Sequence, residues 1–109
     1  MERENRLAEN EARFRAVNER VERRSLQTGG GEDPIEFVCE CGNAECAERI
    51  PLTVAEYEWL RSDPDRFAVV PGHEAGLEGE VVRDEGRFRA LEKTGVAAEV
   101  ARETNPREG

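Results

Sequence analysis

Three cysteines and a single histidine supply the thiol and imidazole groups of the chain. They follow the spacing Cys-x-Cys-x4-Cys-x26-His, at Cys39, Cys41, Cys46 and His73. A structural zinc ion takes four tetrahedral sulfur and nitrogen ligands, so a Cys3His set fills its coordination shell. The pattern therefore predicts a structural Zn2+ site formed by these four side chains.

The sequence around these ligands contains the turns that would bring them together. The first two cysteines are two residues apart, so in an extended segment their sulfurs point to the same side. Gly42-Asn43 favours a turn that returns the third cysteine towards them, and Pro71-Gly72 favours a bend just before the histidine. A metal held by all four would tie the first pair of strands to a later sheet.

Two interpretations without a metal stay open. The thiols could be free and buried, with His73 in a surface turn, or a disulfide could join a pair such as Cys41 and Cys46. An odd number of cysteines argues against a disulfide framework.

The zinc could also have a chemical role. A hydrolytic zinc needs an open position and a carboxylate base, for which Glu40, Glu45 and Glu74 are candidates by sequence. Three thiolates weaken the Lewis acidity of zinc, and one histidine cannot be both ligand and general base. A redox sensor that releases zinc when its thiolates are oxidised is the remaining alternative.

The overall charge of the chain limits its partners. The 109 residues include 25 acidic and 16 basic side chains, for a net charge of -9. This charge disfavours nucleic acid and anionic membranes, which are bound mainly through Lys and Arg. The first residues lack the apolar stretch of a secretory signal, and no apolar run is long enough to span a membrane. We therefore expect one small cytoplasmic domain with tails.

Residues 1–24 predict a helical arm, since they contain neither Gly nor Pro. Its larger apolar side chains share one narrow stripe with heptad spacing: Leu7, Phe14, Val17 and Val21. A stripe this short is not enough to stabilise a coiled coil by itself. The stripe is therefore predicted to bind the chain's own domain, a second copy or a different protein partner.

A flexible linker is predicted over residues 25–34, which contain three consecutive glycines, and a disordered tail over residues 104–109. The folded zinc-binding domain is then residues 35–103. On this division, removal of the arm would leave a folded domain.

The segment 35–103 shows the pattern β, β, α, β, β, β, α. Strands are expected over residues 35–39, 48–52, 67–70, 80–83 and 87–92, and helices over 54–61 and 96–102. Thr53 with Glu56 predicts a capping box for the first helix, and Thr94 a cap for the second. The predicted fold is α+β: a small antiparallel sheet with two short helices, stapled by zinc and preceded by an amphipathic N-terminal helix.

Trp59 is the only tryptophan, and it projects opposite the apolar face of the predicted helix 54–61. Either it packs beneath the arm or a loop, or it is a second contact for a partner.

One long stretch, FVCECGNAECAERIPLTVAEYEWLRSDPDRFAVVPGHE, resembles a group of small bacterial proteins with an FxCEC…C segment, an LTxxEYE helix and a PGHE turn. The resemblance extends to NEARFRAVNER, EKTG and TNPR. It implies that the three cysteines and His73 form a zinc site, and it brings no assigned activity. The sequence thus predicts a non-enzymatic zinc module acting as an adaptor or regulatory protein, with a redox sensor or a small metalloenzyme as the alternative.

Overall fold

The structure, a computed structural model, describes residues 2–29 and 32–107. It contains three helices and five strands in this part of the chain: α1 (Glu2–Gln27), β1 (Ile35–Val38), β2 (Arg49–Leu52), α2 (Val54–Arg61), β3 (Arg66–Val69), β4 (Glu80–Asp84), β5 (Arg89–Glu92) and α3 (Gly95–Glu103). Met1, the two linker glycines at 30 and 31, and the last two residues lie outside the described residues.

The strands form two antiparallel sheets. β1 pairs with β2 as a hairpin, and β5 lies between β3 and β4 in the second sheet. The α+β class is confirmed, but the strands are divided between two sheets where the sequence predicted one. None of the helices among the described residues is long and apolar enough to cross a membrane.

The apolar core lies between the two sheets and α2. The ring of Phe37 on β1 stacks on Tyr57 of α2, with centroids 4.5 Å apart. Fully buried side chains from β2, α2 and β3 complete this cluster, among them Ile50, Leu60 and Val69. The cluster also includes the first two cysteines, so the predicted metal ligands adjoin the core.

Helix α2 begins and ends where the sequence predicted. The Thr53 hydroxyl accepts a hydrogen bond from the Glu56 N–H, and the Glu56 carboxylate accepts one from the Thr53 N–H. This capping box satisfies two N–H groups that the first helical turn leaves free. Thr94 is the N-cap residue of α3, as predicted, but its side chain makes no capping hydrogen bond, and Gly95 enters the helix with a φ of +59°.

Helix α1 is longer than predicted and packs on the rest of the chain through an unexpected face. It continues through Ser25–Gln27, residues assigned to the linker, and ends before Gly29, whose φ is +84°. The residues that α1 buries against β1 and α3 are mostly polar: Ala8, Glu11, Arg15, Asn18 and Glu22. The predicted apolar stripe lies beside this face and is only half-buried.

Buried hydrogen bonds and ion pairs hold α1 in place. Arg15 donates to the carbonyls of Pro64 and Ala101, at 2.7 and 2.8 Å, and its guanidinium lies over the ring of Phe67. Glu11 forms a buried ion pair with Lys93. Because these partners come from several elements of the body, the arm is an integral part of the fold, and its removal would leave buried charges unpaired.

The C-terminal segment also contacts α1. Thr104 accepts a hydrogen bond from Arg15, and Arg107 forms ion pairs with Glu19 and Glu58 and donates a hydrogen bond to Glu22. Residues 104–107 therefore contact α1 and α2, in a segment that the sequence predicted as a tail. The sequence pattern marks the helix end at Asn105-Pro106 but carries no sign of these partners.

Candidate metal centre

The four predicted ligands converge. Their sulfur and nitrogen atoms all lie within 4.8 Å of one another. The Nδ1 atom of His73 is 3.5 Å from the sulfur of Cys39 and 3.7 Å from that of Cys46. A tetrahedral zinc with typical bond lengths would place sulfur and nitrogen about 3.6 Å apart. The chain thus contains a Cys3His group that could hold a metal ion.

The cysteine loop, residues 39–48, joins β1 to β2. It is kept narrow by a bond from the Cys39 N–H to the Glu48 carbonyl. Gly42 reverses the chain with a φ of +82°, and the Cys46 N–H donates to the Asn43 carbonyl at 3.0 Å. Side chains other than glycine rarely adopt this backbone conformation. The loop therefore brings the third sulfur back to the first two, as the sequence predicted.

His73 reaches the cluster from the end of β3. The His73 N–H donates to the Val70 carbonyl at 2.9 Å, closing a turn with Pro71-Gly72 at its corner. Gly72 has a φ of +98°, which the third position of such a turn requires. The cluster consequently links the β1–β2 hairpin to the second sheet.

A carboxylate orients the histidine ring. The Nε2 atom of His73 lies 2.7 Å from an oxygen of Glu48. A proton on Nε2 leaves the Nδ1 lone pair directed at the sulfurs, and metal-bound histidines commonly have such a carboxylate partner. The sequence analysis missed this residue, because an exposed glutamate after a cysteine carries no distinguishing signal.

Backbone N–H groups stabilise negative charge on the sulfurs. The Val70 N–H donates to the sulfur of Cys39 at 3.3 Å. The N–H groups of Asn43 and Glu48 donate to the sulfurs of Cys41 and Cys46, respectively. A hydrogen bond from Cys39 lowers the pKa of Cys41 to about 5, and the same bond together with burial raises the pKa of Cys39. The sulfurs share protons that a bound metal ion would displace.

Glu40 lies between Cys39 and Cys41 in the sequence, but its carboxylate binds residues of α1, α2 and β3. Its buried carboxylate accepts two hydrogen bonds from Arg61, at 3.0 and 3.2 Å, one from Asn18 and one from the Ala68 N–H. It is therefore an anchor between α1, α2 and β3. Its candidacy as a base near the metal is not supported.

A cavity of about 610 Å³ adjoins the cluster. It lies between the start of α1, the cysteine loop and residues 72–77, and Cys41 and His73 are among its lining residues with Arg6, Leu7 and Asn10. Asn10 closes one side by donating to the Gly42 carbonyl at 2.9 Å. One side of the cluster is thus reachable from solvent.

The predicted partner contacts have different surroundings. Leu7 lines the cavity, Val21 packs on the core, and Phe14 and Val17 are half-buried on α1. Trp59 is half-buried between the guanidinium groups of Arg66 and Arg83, 4.1 and 4.8 Å from the indole centre. The indole therefore packs against two arginines and against the apolar core.

All three cysteines are free, so the disulfide interpretation is wrong. Comparison of the chain with protein-family models, with curated proteins and with solved structures gave no match. The geometry of the cluster and its surroundings therefore carries the functional argument.

Proposed function

We propose that the Cys3His cluster binds one structural Zn2+ and that the chain is a non-enzymatic protein-binding module of the adaptor or regulatory kind. The observation that carries the proposal is the convergence of four ligand atoms, with Glu48 behind the histidine. Three thiolates and an imidazole are a donor set that zinc favours.

The arrangement supports a structural metal over a catalytic one. His73 supplies the fourth ligand, so a tetrahedral ion has no position left for water or substrate. Glu74, another candidate base, is engaged by Arg89 at 2.6 Å and by the Gly72 N–H. The resemblance of the sequence to small proteins with a predicted zinc site agrees with this role.

Protein binding is proposed through the half-buried apolar stripe on α1. Capture of proteins from the native cell by the zinc-loaded chain tests this function. We expect a protein that is retained by the native chain and lost when Phe14 and Val17 are both replaced by Ser. The matched control replaces Val81 and Val82, exposed on β4, by Ser. Equal capture by both variants, or no retained protein, would count against the function.

A redox-releasable zinc site is the second candidate, and the open cavity beside Cys41 favours it. Two thiols would be oxidised to a disulfide by a peroxide, which is reduced to water and alcohol, with loss of the ion. Zinc release by mild peroxide with restoration by a thiol reductant would support this function. Retention of the ion under those conditions would exclude it.

A further inference from the structure

The charges of α1 are sorted between its two faces. Three glutamates turn towards the body: Glu11 pairs with Lys93, and Glu19 and Glu22 pair with Arg107. The arginines face outward. The side chains that α1 exposes from residue 6 onwards include five arginines and one glutamate: Arg6, Glu9, Arg13, Arg20, Arg23 and Arg24. A helix that is nearly neutral in sequence is therefore strongly basic on its exposed face.

These five arginines, the arginine row, differ from most of the arginines of the body. Arg61, Arg87, Arg89 and Arg102 each form an ion pair with a nearby carboxylate. Within residues 6–29 and 32–107, Arg13, Arg20, Arg23 and Arg24 form none. The chain as a whole carries a net charge of -9, so this basic face stands out against an acidic molecule. Unpaired guanidinium groups are suited to binding carboxylates.

The arginine row borders the apolar stripe in a heptad arrangement. With Phe14 and Val21 at position a and Val17 at position d, Arg13 and Arg20 occupy position g. Charged residues at positions e and g select the partner in paired helices. Position e, on the other side of the stripe, packs against the body of the chain: Asn18 forms hydrogen bonds with the carbonyl and the N–H of Val38 on β1.

We infer that this face of α1 binds an acidic amphipathic helix of a different protein, with apolar side chains on the stripe and glutamates opposite Arg13 and Arg20. The inference rests on the proposed protein-binding function and specifies the chemistry of the partner. Seven-residue spacing separates the arginines by about 10.5 Å along the helix, which matches one glutamate per heptad on a paired helix.

A second copy of the chain fits this face poorly. In an antiparallel pair the g positions of the two copies face each other, so arginines would oppose arginines. In a parallel pair each g residue faces the e position five residues further along the second helix, so Arg6 and Arg13 would face Glu11 and Asn18, which are buried in their own fold. Nucleic acid fits less well than protein, because it offers nothing apolar for the stripe and is repelled by the acidic remainder of the chain.

The probe for this inference is a fluorescent synthetic peptide of three heptads, with Leu at a and d and Glu at e and g. Its glutamates prevent it from pairing with itself. We expect the full zinc-loaded chain to raise the anisotropy of the peptide, and added salt to weaken the binding. Replacing Arg13 and Arg20 by Glu is expected to weaken binding about tenfold or more.

The control variant is Arg49→Glu, since Arg49 is exposed on β2 and is not part of the arginine row. It should bind within about twofold of the native chain. The inference is wrong if the native chain does not bind the acidic peptide. It is also wrong if a peptide with Lys in place of Glu binds as tightly as the acidic peptide, or if a DNA duplex binds more tightly than that peptide. If the peptide fails while Phe14→Ser with Val17→Ser still abolishes capture, only the inference falls. If, in addition, the native chain captures no protein, or the double Ser variant captures as much as the native chain, the proposed function is wrong as well.

Discussion

The cysteine loop meets the inner face of α1, the buried face with Glu11, Arg15 and Asn18, at Gly42. Both regions bury polar groups, but these groups are satisfied in different ways. At the cysteine loop, its three sulfurs and the imidazole of His73 converge on one point with room for a single ion. At the inner face of α1, each buried charge has its own protein partner, as in Glu11 with Lys93. The first arrangement could be completed by a bound metal ion, whereas the second is complete within the chain. Residue type identifies the first, but nothing in the sequence tells a buried arginine from a surface one.

The largest effect is expected at Glu40, which the two regions share. Glu40→Ala leaves Arg61 buried without its ion pair and should lower the free energy of unfolding by about 3–5 kcal/mol. Urea unfolding of the zinc-loaded protein measures this. Glu36→Ala, an exposed residue on β1, is the control and should change stability by less than about 0.5 kcal/mol. A loss at Glu40 no larger than at Glu36 would show that the ion pair of Glu40 with Arg61 does not stabilise the fold.

Gly42 tests the contact between the two regions. A Cβ atom there would lie 2.8 Å from both the Leu7 carbonyl oxygen and the Glu11 side chain, and its φ of +82° is strained for other residues. Gly42→Ala should cost about 2–4 kcal/mol in thermal or urea unfolding, and it should speed zinc loss to a chelator.

Gly86→Ala is the matched control, because Gly86 has a φ of +79° and open space around it. It should cost only about 1–2 kcal/mol from backbone strain. Equal losses of unfolding free energy at the two glycines would mean that the close approach of α1 to Gly42 adds nothing to the cost of the substitution.

The smallest effect is expected at Glu22, and it depends on pH. Burial, with the neighbouring Glu58, raises the pKa of Glu22 to about 8. The folded chain then binds a proton that the unfolded chain releases between about pH 4.5 and pH 8, so this contribution to stability is present at low pH and is lost as the pH rises.

Glu22→Gln should therefore leave stability unchanged at pH 5 and raise it by about 1–2 kcal/mol at pH 8. The amide oxygen keeps the hydrogen bond from Arg107. Unfolding free energies at the two pH values check this. An identical difference at both values would contradict a raised pKa at this residue.

Parts of the molecule could be predicted from sequence because their signals are local. The capping box at Thr53 and the turn at Pro71-Gly72 each depend on residues close together in the chain. The cysteines and His73 were identifiable because few residue types bind zinc. The face through which α1 packs could not be predicted, because apolar periodicity identified the stripe at Phe14 and Val17, whereas the buried face includes Arg15, whose partners lie far along the chain.

The metal centre is tested most directly by X-ray absorption and metal analysis of the protein purified without added metal. The account predicts about one zinc per chain, with three sulfurs near 2.3 Å and one nitrogen near 2.0–2.1 Å. His73→Ala should replace the nitrogen by another ligand or lose the ion. Less than about half an equivalent of zinc, or a native shell without the imidazole nitrogen, would contradict a structural Cys3His site.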